Sequence, residues 1–118
     1  MCDYRIYAIL AGVDVELHDE IVNWLATLND KDWIRTSIVI DRLANLGPTA
    51  RMPFSRALGD GLFEVRFTLG RTARRMTYRF TQDQCIVLLT TFRKTKQNET
   101  GEIKRARTAA AQCAAINP

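Results

Sequence analysis

Between Leu58 and Lys96 the chain carries three strand-like runs in succession, and no other feature restricts its fold as strongly. From Leu62 to Leu69 the odd positions Phe63, Val65, Phe67 and Leu69 are apolar, whereas Glu64, Arg66 and Thr68 fall between them. Side chains of a strand point alternately to its two faces, so this pattern divides an apolar face from a polar one. Arg74 to Thr81 repeats it, with Met76, Tyr78 and Phe80 against Arg75, Thr77 and Arg79, and Cys85 to Phe92 is mostly apolar. The expected sheet has one apolar face, which the rest of the chain covers, and one open face carrying arginines. A four-residue turn at Gly70-Arg71-Thr72-Ala73 would pair Leu69 with Arg74. Thr68 would then face Arg75, Arg66 would face Thr77, and Glu64 would form an ion pair with Arg79.

The flanking segments read differently. Tyr4 to Leu10 predicts an opening strand, with Gly12 in its exit loop. Leu17, Ile21, Trp24, Leu25 and Leu28 recur at helical spacing, predicting a helix capped by Asp14 with His18 on its surface. Asn29-Asp30 recaps the chain, and Trp33, Val39, Ile40, Leu43 and Leu46 define a second helix that Gly47-Pro48 ends. Residues 47–60 read as a loop, and Glu102 to Ala115 as an alanine-rich helix with Ile103, Ala106, Ala110 and Cys113 on one side. The order β-α-α-β-β-β-α predicts an α+β fold: one domain over residues 1–118, with a small, mostly antiparallel twisted sheet packed against a helical hairpin.

Charge is unevenly spread. Residues 1–50 hold four basic side chains against eight acidic ones, a balance of −4, which leaves +8 for residues 51–118. Such asymmetry suits a polyanion or an acidic partner at one end, and it also suits plain solvation. No apolar run is long enough to span a membrane and Met1 to Arg5 does not open a signal peptide, so a cytoplasmic protein is expected. The three cysteines, Cys2, Cys85 and Cys113, are far apart and lack metal-ligand spacing. They read as free thiols, with Cys85 in a strand and Cys113 on a helix face.

A single histidine excludes histidine-pair catalysis and multi-histidine metal sites. Gly59-Asp60-Gly61 leads into a strand, not into the helix N-terminus that a phosphate loop needs. Neither metal nor cofactor is expected. Trp24, Trp33 and Tyr78 read as core. What remains is Arg56, Arg66, Arg75 and Arg79, with Lys94 and Lys96. Guanidinium forks suit phosphate, and fixed cations can neutralise a pentacoordinate phosphorane. RNA supplies its own nucleophile, the 2′-hydroxyl, so such a site needs only to orient the attack, move protons and neutralise charge. Spacing alone leaves a second reading open, the merely solvated face of an antiparallel sheet.

Leu58-Gly59-Asp60-Gly61-Leu62-Phe63-Glu64-Val65-Arg66 is similar to "LGDGLxELR", and Arg75-Met76-Thr77-Tyr78 to "RxxY". Val87-Leu88-Leu89 with Phe92 and Lys94 is similar to "LLHGFxKK", and Glu102-Ile103 with Ala106 to "EIxxA". In this order the segments resemble the HigB-like branch of the RelE/ParE toxin superfamily, over about residues 56–107. The resemblance implies a metal-independent mRNA endoribonuclease acting at the ribosome, and a cognate antitoxin, expected to be a helix-turn-helix protein. It implies Arg66, Arg75 and Lys94 as catalytic residues, with Arg56, Arg79 and Lys96 as further phosphate contacts.

Two departures matter. Where the family has histidine-glycine, this chain has Thr90-Thr91, and the lysine-rich "KKTQKTP" that follows is Lys94-Thr95-Lys96-Gln97-Asn98-Glu99-Thr100. A threonine is neither acid nor base near neutral pH. Two alternatives therefore stand beside the nuclease: a ParE-like toxin that inhibits a protein such as gyrase, and a degenerate module that only binds an antitoxin.

Overall fold

A computed structural model describes residues 12–118 together with strand β1, Tyr4–Tyr7. The remaining elements are β2 (Val15–His18), α1 (Asp19–Leu25), α2 (Asp30–Leu46), β3 (Ser55–Gly59), β4 (Leu62–Leu69), β5 (Thr72–Phe80), β6 (Ile86–Arg93) and α3 (Glu99–Ile116). They form one six-stranded sheet in the order β1-β2-β6-β5-β4-β3, antiparallel except where β2 runs parallel to β6. This is the expected α+β class. Of the opening strand read at Tyr4–Leu10, Tyr4–Tyr7 is β1, and residues 8–10 lie outside the described residues.

Two segments depart from their sequence reading. Residues 15–18 form a strand, not the first turn of a helix, and α1 begins only at Asp19. Val15 and Leu17 are both buried and their neighbours are not, a period of two that the Leu17–Ile21 spacing disguises. His18 therefore ends a strand, half-buried, with Nδ1 enclosed and lacking a hydrogen-bond partner. The loop expected over residues 47–60 contains a 3-10 turn at Gly47–Thr49 and then strand β3. Asp60 and Gly61, with φ of 55° and 77°, make the two-residue turn of a β3–β4 hairpin, a geometry that Asp-Gly adopts readily.

Both faces of the sheet carry helices. Helices α1 and α2 lie on the face formed by Val65, Phe67, Met76, Tyr78, Ile86 and Leu88, burying Ile21, Val39, Ile40 and Leu43 against it. Asn29 caps α2 by accepting a hydrogen bond from the Asp32 N–H at 2.8 Å, and Gly47 closes it at φ 51°. Phe63 stacks on Tyr78 at 5.4 Å, and Arg74 lies over the Trp24 ring at 4.5 Å. Trp33, expected in the core, is 48% exposed at the start of α2.

The opposite face is not left open along its whole length. Helix α3 packs Ala106 and Cys113 on Leu62, Val87 and Leu89. A bulge in β6 makes this possible: Thr77 pairs with Thr90 but Tyr78 pairs with Leu88, so Leu89 is an extra residue. The apolar continuity of residues 85–92 follows, because a strand covered on both faces has no wet side. Cys85 itself lies just before β6 and not within it. Arg105 anchors the helix by pairing with Glu20 and Glu102, while Glu20 also accepts the Thr91 N–H at 2.8 Å. Among the described residues no helix is long and apolar enough to cross a membrane.

Candidate functional site

The strand register sets the site. Gly70 and Arg71 form a two-residue turn, with Gly70 at φ 59°, so Leu69 pairs with Thr72. The expected pairing was displaced by two residues, a shift that keeps every side chain on its face but changes every neighbour. Arg66 stands opposite Arg75, and Glu64 opposite Thr77.

Read across the sheet, cross-strand pairing arranges the α3-side face in rows. One row is Arg56, Glu64, Thr77 and Thr90, contributed by β3, β4, β5 and β6 in turn. The next is Arg66, Arg75 and Phe92. Beyond it Lys94 donates its backbone N–H to Ala73, which pairs with Thr68. Helix α3 begins at Glu99 beside these rows and runs away from them, toward Arg79 at the other end of the face. The basic residues thus lie at the end of this face where α3 begins, with Arg56 exposed, Arg66 and Lys94 half-buried and Arg75 buried.

Glu64 lies at the centre. Its side chain is 1% exposed, with Oε2 3.8 Å from Arg75 Nε and 3.8 Å from Arg56 Nη1. Neither carboxylate oxygen has a hydrogen-bond partner, and neither does Arg75 Nε. Burial pushes the Glu64 carboxyl above its ordinary pKa, and the cations Arg75 and Arg56 only partly oppose this. Burial likewise lowers the pKa of Arg75, and repulsion from Arg66 adds to the effect. Arg56 reaches outward as well, with Nη1 2.7 Å from Glu99 Oε1, and Lys94 Nζ lies 3.9 Å from the other oxygen of Glu99. Arg66 differs from its neighbours. Among the described residues no carboxylate lies within ion-pair distance of it, and Nη1 rests 3.6 Å from Met52 Sδ.

Of the six cationic residues marked in the sequence, four therefore come together: Arg56, Arg66, Arg75 and Lys94. Arg79 does not join them. It is no partner of Glu64, because its guanidinium donates to the carbonyls of Asn117 at 2.8 Å and Pro118 at 3.2 Å. Lys96 is exposed in the turn before α3 and takes part in none of these contacts. The sequence reading missed the two carboxylates. Alternation put Glu64 on the right face, but its burial follows from the Arg56 and Arg75 side chains closing over it, which no one-strand pattern encodes.

Thr90 and Thr91 are both buried. Thr77 and Thr90 share a hydrogen bond between hydroxyls at 2.5 Å, and the Thr91 hydroxyl donates to the Arg75 carbonyl at 2.9 Å while accepting from Arg74 Nη2. Both hydroxyls are committed to the sheet. Among the described residues no group of histidine, cysteine and carboxylates has the geometry to hold a metal ion.

The arrangement suits an anion with several negatively charged oxygens. Two guanidiniums face each other across paired strands, a third cation and an ammonium stand at the rim, and a carboxyl with an elevated pKa lies between. Residues 23–111 match the model of a family described as phage-derived protein Gp49-like (DUF891), and no match to a curated protein was found.

Proposed function

The chain belongs to the phage-derived Gp49-like (DUF891) family, and from that premise we propose that it is the toxin of a type II toxin–antitoxin pair that cleaves mRNA on the ribosome. Membership implies a RelE/HigB-like toxin. One observation carries it. Arg66 and Arg75 are directly opposed across β4 and β5, Arg75 buried and Arg66 half-buried, and Arg66 has no carboxylate partner among the described residues. Like charges placed opposite one another destabilise a sheet, so the pair is best explained by an anion that both would bind.

In this reading the scissile phosphate lies over Arg66 and Arg75, with Arg56 and Lys94 holding its flanks. The 2′-hydroxyl attacks in line, and the guanidiniums offset the charge that grows on the phosphorane oxygens. Arginine is well chosen because its fork spans two oxygens and stays charged even when partly buried. The cognate antitoxin would be the physiological partner and the cytoplasm the place of action.

Induced expression without antitoxin, followed by primer-extension mapping of transcripts, tests the proposal. New 5′ ends inside translated regions are expected, and blocking ribosome loading on the message should remove them. Growth arrest with intact transcripts would instead favour a ParE-like inhibitor of a protein target. Thr90 and Thr91 stand where the family has histidine-glycine and are committed to the sheet, which favours that second reading. A supercoiling assay with purified gyrase separates the two.

A further inference from the structure

We infer that Glu64 is the proton acceptor of this site, the group that takes the 2′-hydroxyl proton. The inference rests on the nuclease reading and supplies what that reading lacks. Guanidinium and ammonium groups are poor proton acceptors near neutral pH, and threonine hydroxyls do not ionise there. A carboxylate is needed, and of the two at the site Glu99 is held at the rim by Arg56 and Lys94. Glu64 is the central one.

Three observations converge on it. Its position in the sheet is fixed on both sides, by Arg56 and Thr77, so the carboxyl cannot wander from the row below Arg66 and Arg75. Both of its oxygens are enclosed without a hydrogen-bond partner, although each can accept two. A buried acceptor left unsatisfied is costly, and such groups are found where function needs them. Thirdly, the charges around it are balanced so that it remains a usable base. Arg56 from β3, Arg66 on its own strand and Arg75 from β5 favour the carboxylate, whereas burial and Glu99 from α3 oppose it. The net elevation moves the carboxyl toward the range where a base is both ionised and effective.

Access to Glu64 runs past Arg56, whose Nη1 stands between the two carboxylates, 2.7 Å from Glu99 and 3.8 Å from Glu64. Arg56 is 44% exposed and long enough to swing. A phosphate arriving at the rim competes with Glu99 for this guanidinium and draws it outward, uncovering Glu64 Oε2 as the substrate seats. The step then balances simply. The O2′–H bond breaks as O2′ bonds to phosphorus, Glu64 takes the proton, and the P–O5′ bond breaks with O5′ protonated by water. The products are a 2′,3′-cyclic phosphate and a 5′-hydroxyl, after which Glu64 returns its proton to solvent.

The test compares the wild type with Glu64→Gln and Glu64→Asp in single-turnover cleavage of an mRNA held on bacterial ribosomes. Binding is measured separately, on the same complex with a 2′-deoxy residue at the cleaved position. Glu64→Gln keeps the size and polarity of the side chain, and thermal melting checks that it folds. Expected are a fall of about 10²-fold or more in cleavage rate, binding within threefold of wild type, and loss of the acid limb of the wild-type pH–rate profile. Glu64→Asp should retain partial cleavage with that limb intact. Cleavage by folded Glu64→Gln within threefold of wild type would overturn the assignment and leave the nuclease reading standing. Parallel loss of binding and cleavage would also overturn it, by reducing Glu64 to a residue that positions Arg56 and Arg75. Failure of the wild type itself to cleave removes both readings together.

Discussion

Arg66 and Arg75 face each other directly across β4 and β5, and Arg66 is one cause of the lowered pKa of Arg75. The pair is repulsive in the free protein, so replacing one member should harm function and not the fold. Arg66→Ala is expected to abolish toxicity, with any residual cleavage reduced about 10²- to 10³-fold. Its melting temperature should equal or slightly exceed that of wild type. Growth curves after induction, read beside thermal melts, check this. Toxic growth arrest by Arg66→Ala at wild-type expression would place the site elsewhere.

Arg79 makes the complementary case. It shares the strand and the polar alternation of Arg75, yet its hydrogen bonds go to the carbonyls of Asn117 and Pro118 at the far end of α3. Arg79→Ala should therefore remain toxic while losing about 1–2 kcal/mol of stability, the scale of hydrogen bonds from a charged donor. Urea denaturation measures the loss, and the growth assay shows whether toxicity survives. Toxicity lost without a change in stability would return Arg79 to the phosphate-binding set.

Glu64 predicts an unusual dependence of stability on pH. Burial raises its pKa in the folded protein above that of the unfolded chain. The folded state thus binds this proton more tightly, and the contribution is fully present below the unfolded value of about 4.3 and is lost as pH rises through the folded value. Glu64→Gln does not carry this burden. Its advantage in melting temperature over wild type should be small near about pH 4 and grow toward about pH 7, by about 3–6 °C for each kcal/mol. A constant difference across that range would mean the carboxyl titrates alike in both states. A gain in stability paired with a loss of cleavage is the trade expected of a functional carboxyl.

Two glycines separate backbone strain from crowding. Gly12 has φ 136°, and a Cβ there would lie 2.7 Å from the Ala44 carbonyl oxygen of α2. Gly61, at φ 77° in the β3–β4 turn, would meet no atom within 4 Å. Gly61→Ala should cost about 1 kcal/mol from conformation alone, and Gly12→Ala at least about 2–3 kcal/mol because α2 must also shift. Equal losses in denaturation midpoints would show that α2 yields without cost.

Strand alternation made the central sheet legible, because Phe63, Val65 and Phe67 share a face whatever their partners are. Register was less so: Gly70-Arg71-Thr72-Ala73 admits a four-residue or a two-residue turn, and only the latter opposes Arg66 to Arg75. The β3–β4 hairpin was announced by Asp60-Gly61, but Arg56 and Ala57 alternate too weakly to reveal a strand. At Val15-Glu16-Leu17 two periods fit the same residues, and pairing with β6, a long-range contact, decided between them. Trp33 shows the opposite failure, since helical spacing places it on the apolar stripe although at the helix start it remains 48% exposed. Of the site, the cations were readable by type and face. The buried carboxylate among them was not, because its environment is assembled from four strands and the beginning of α3.

The position of β6 governs when this protein can exist as such. It begins at Ile86, yet it occupies the sheet interior, with β2 on one side and β5 on the other. During synthesis β3, β4 and β5 can pair as they emerge, because each joins its neighbour through a short turn. The β1–β2 hairpin has no such partner and must wait for β6, and only then does α3 follow to bring Glu99 beside Arg56. A nascent chain therefore carries its arginines well before it holds them in working order. Assembly waits for β6, so a chain cut short before Ile86 would carry Arg66 and Arg75 without the strand that completes their sheet.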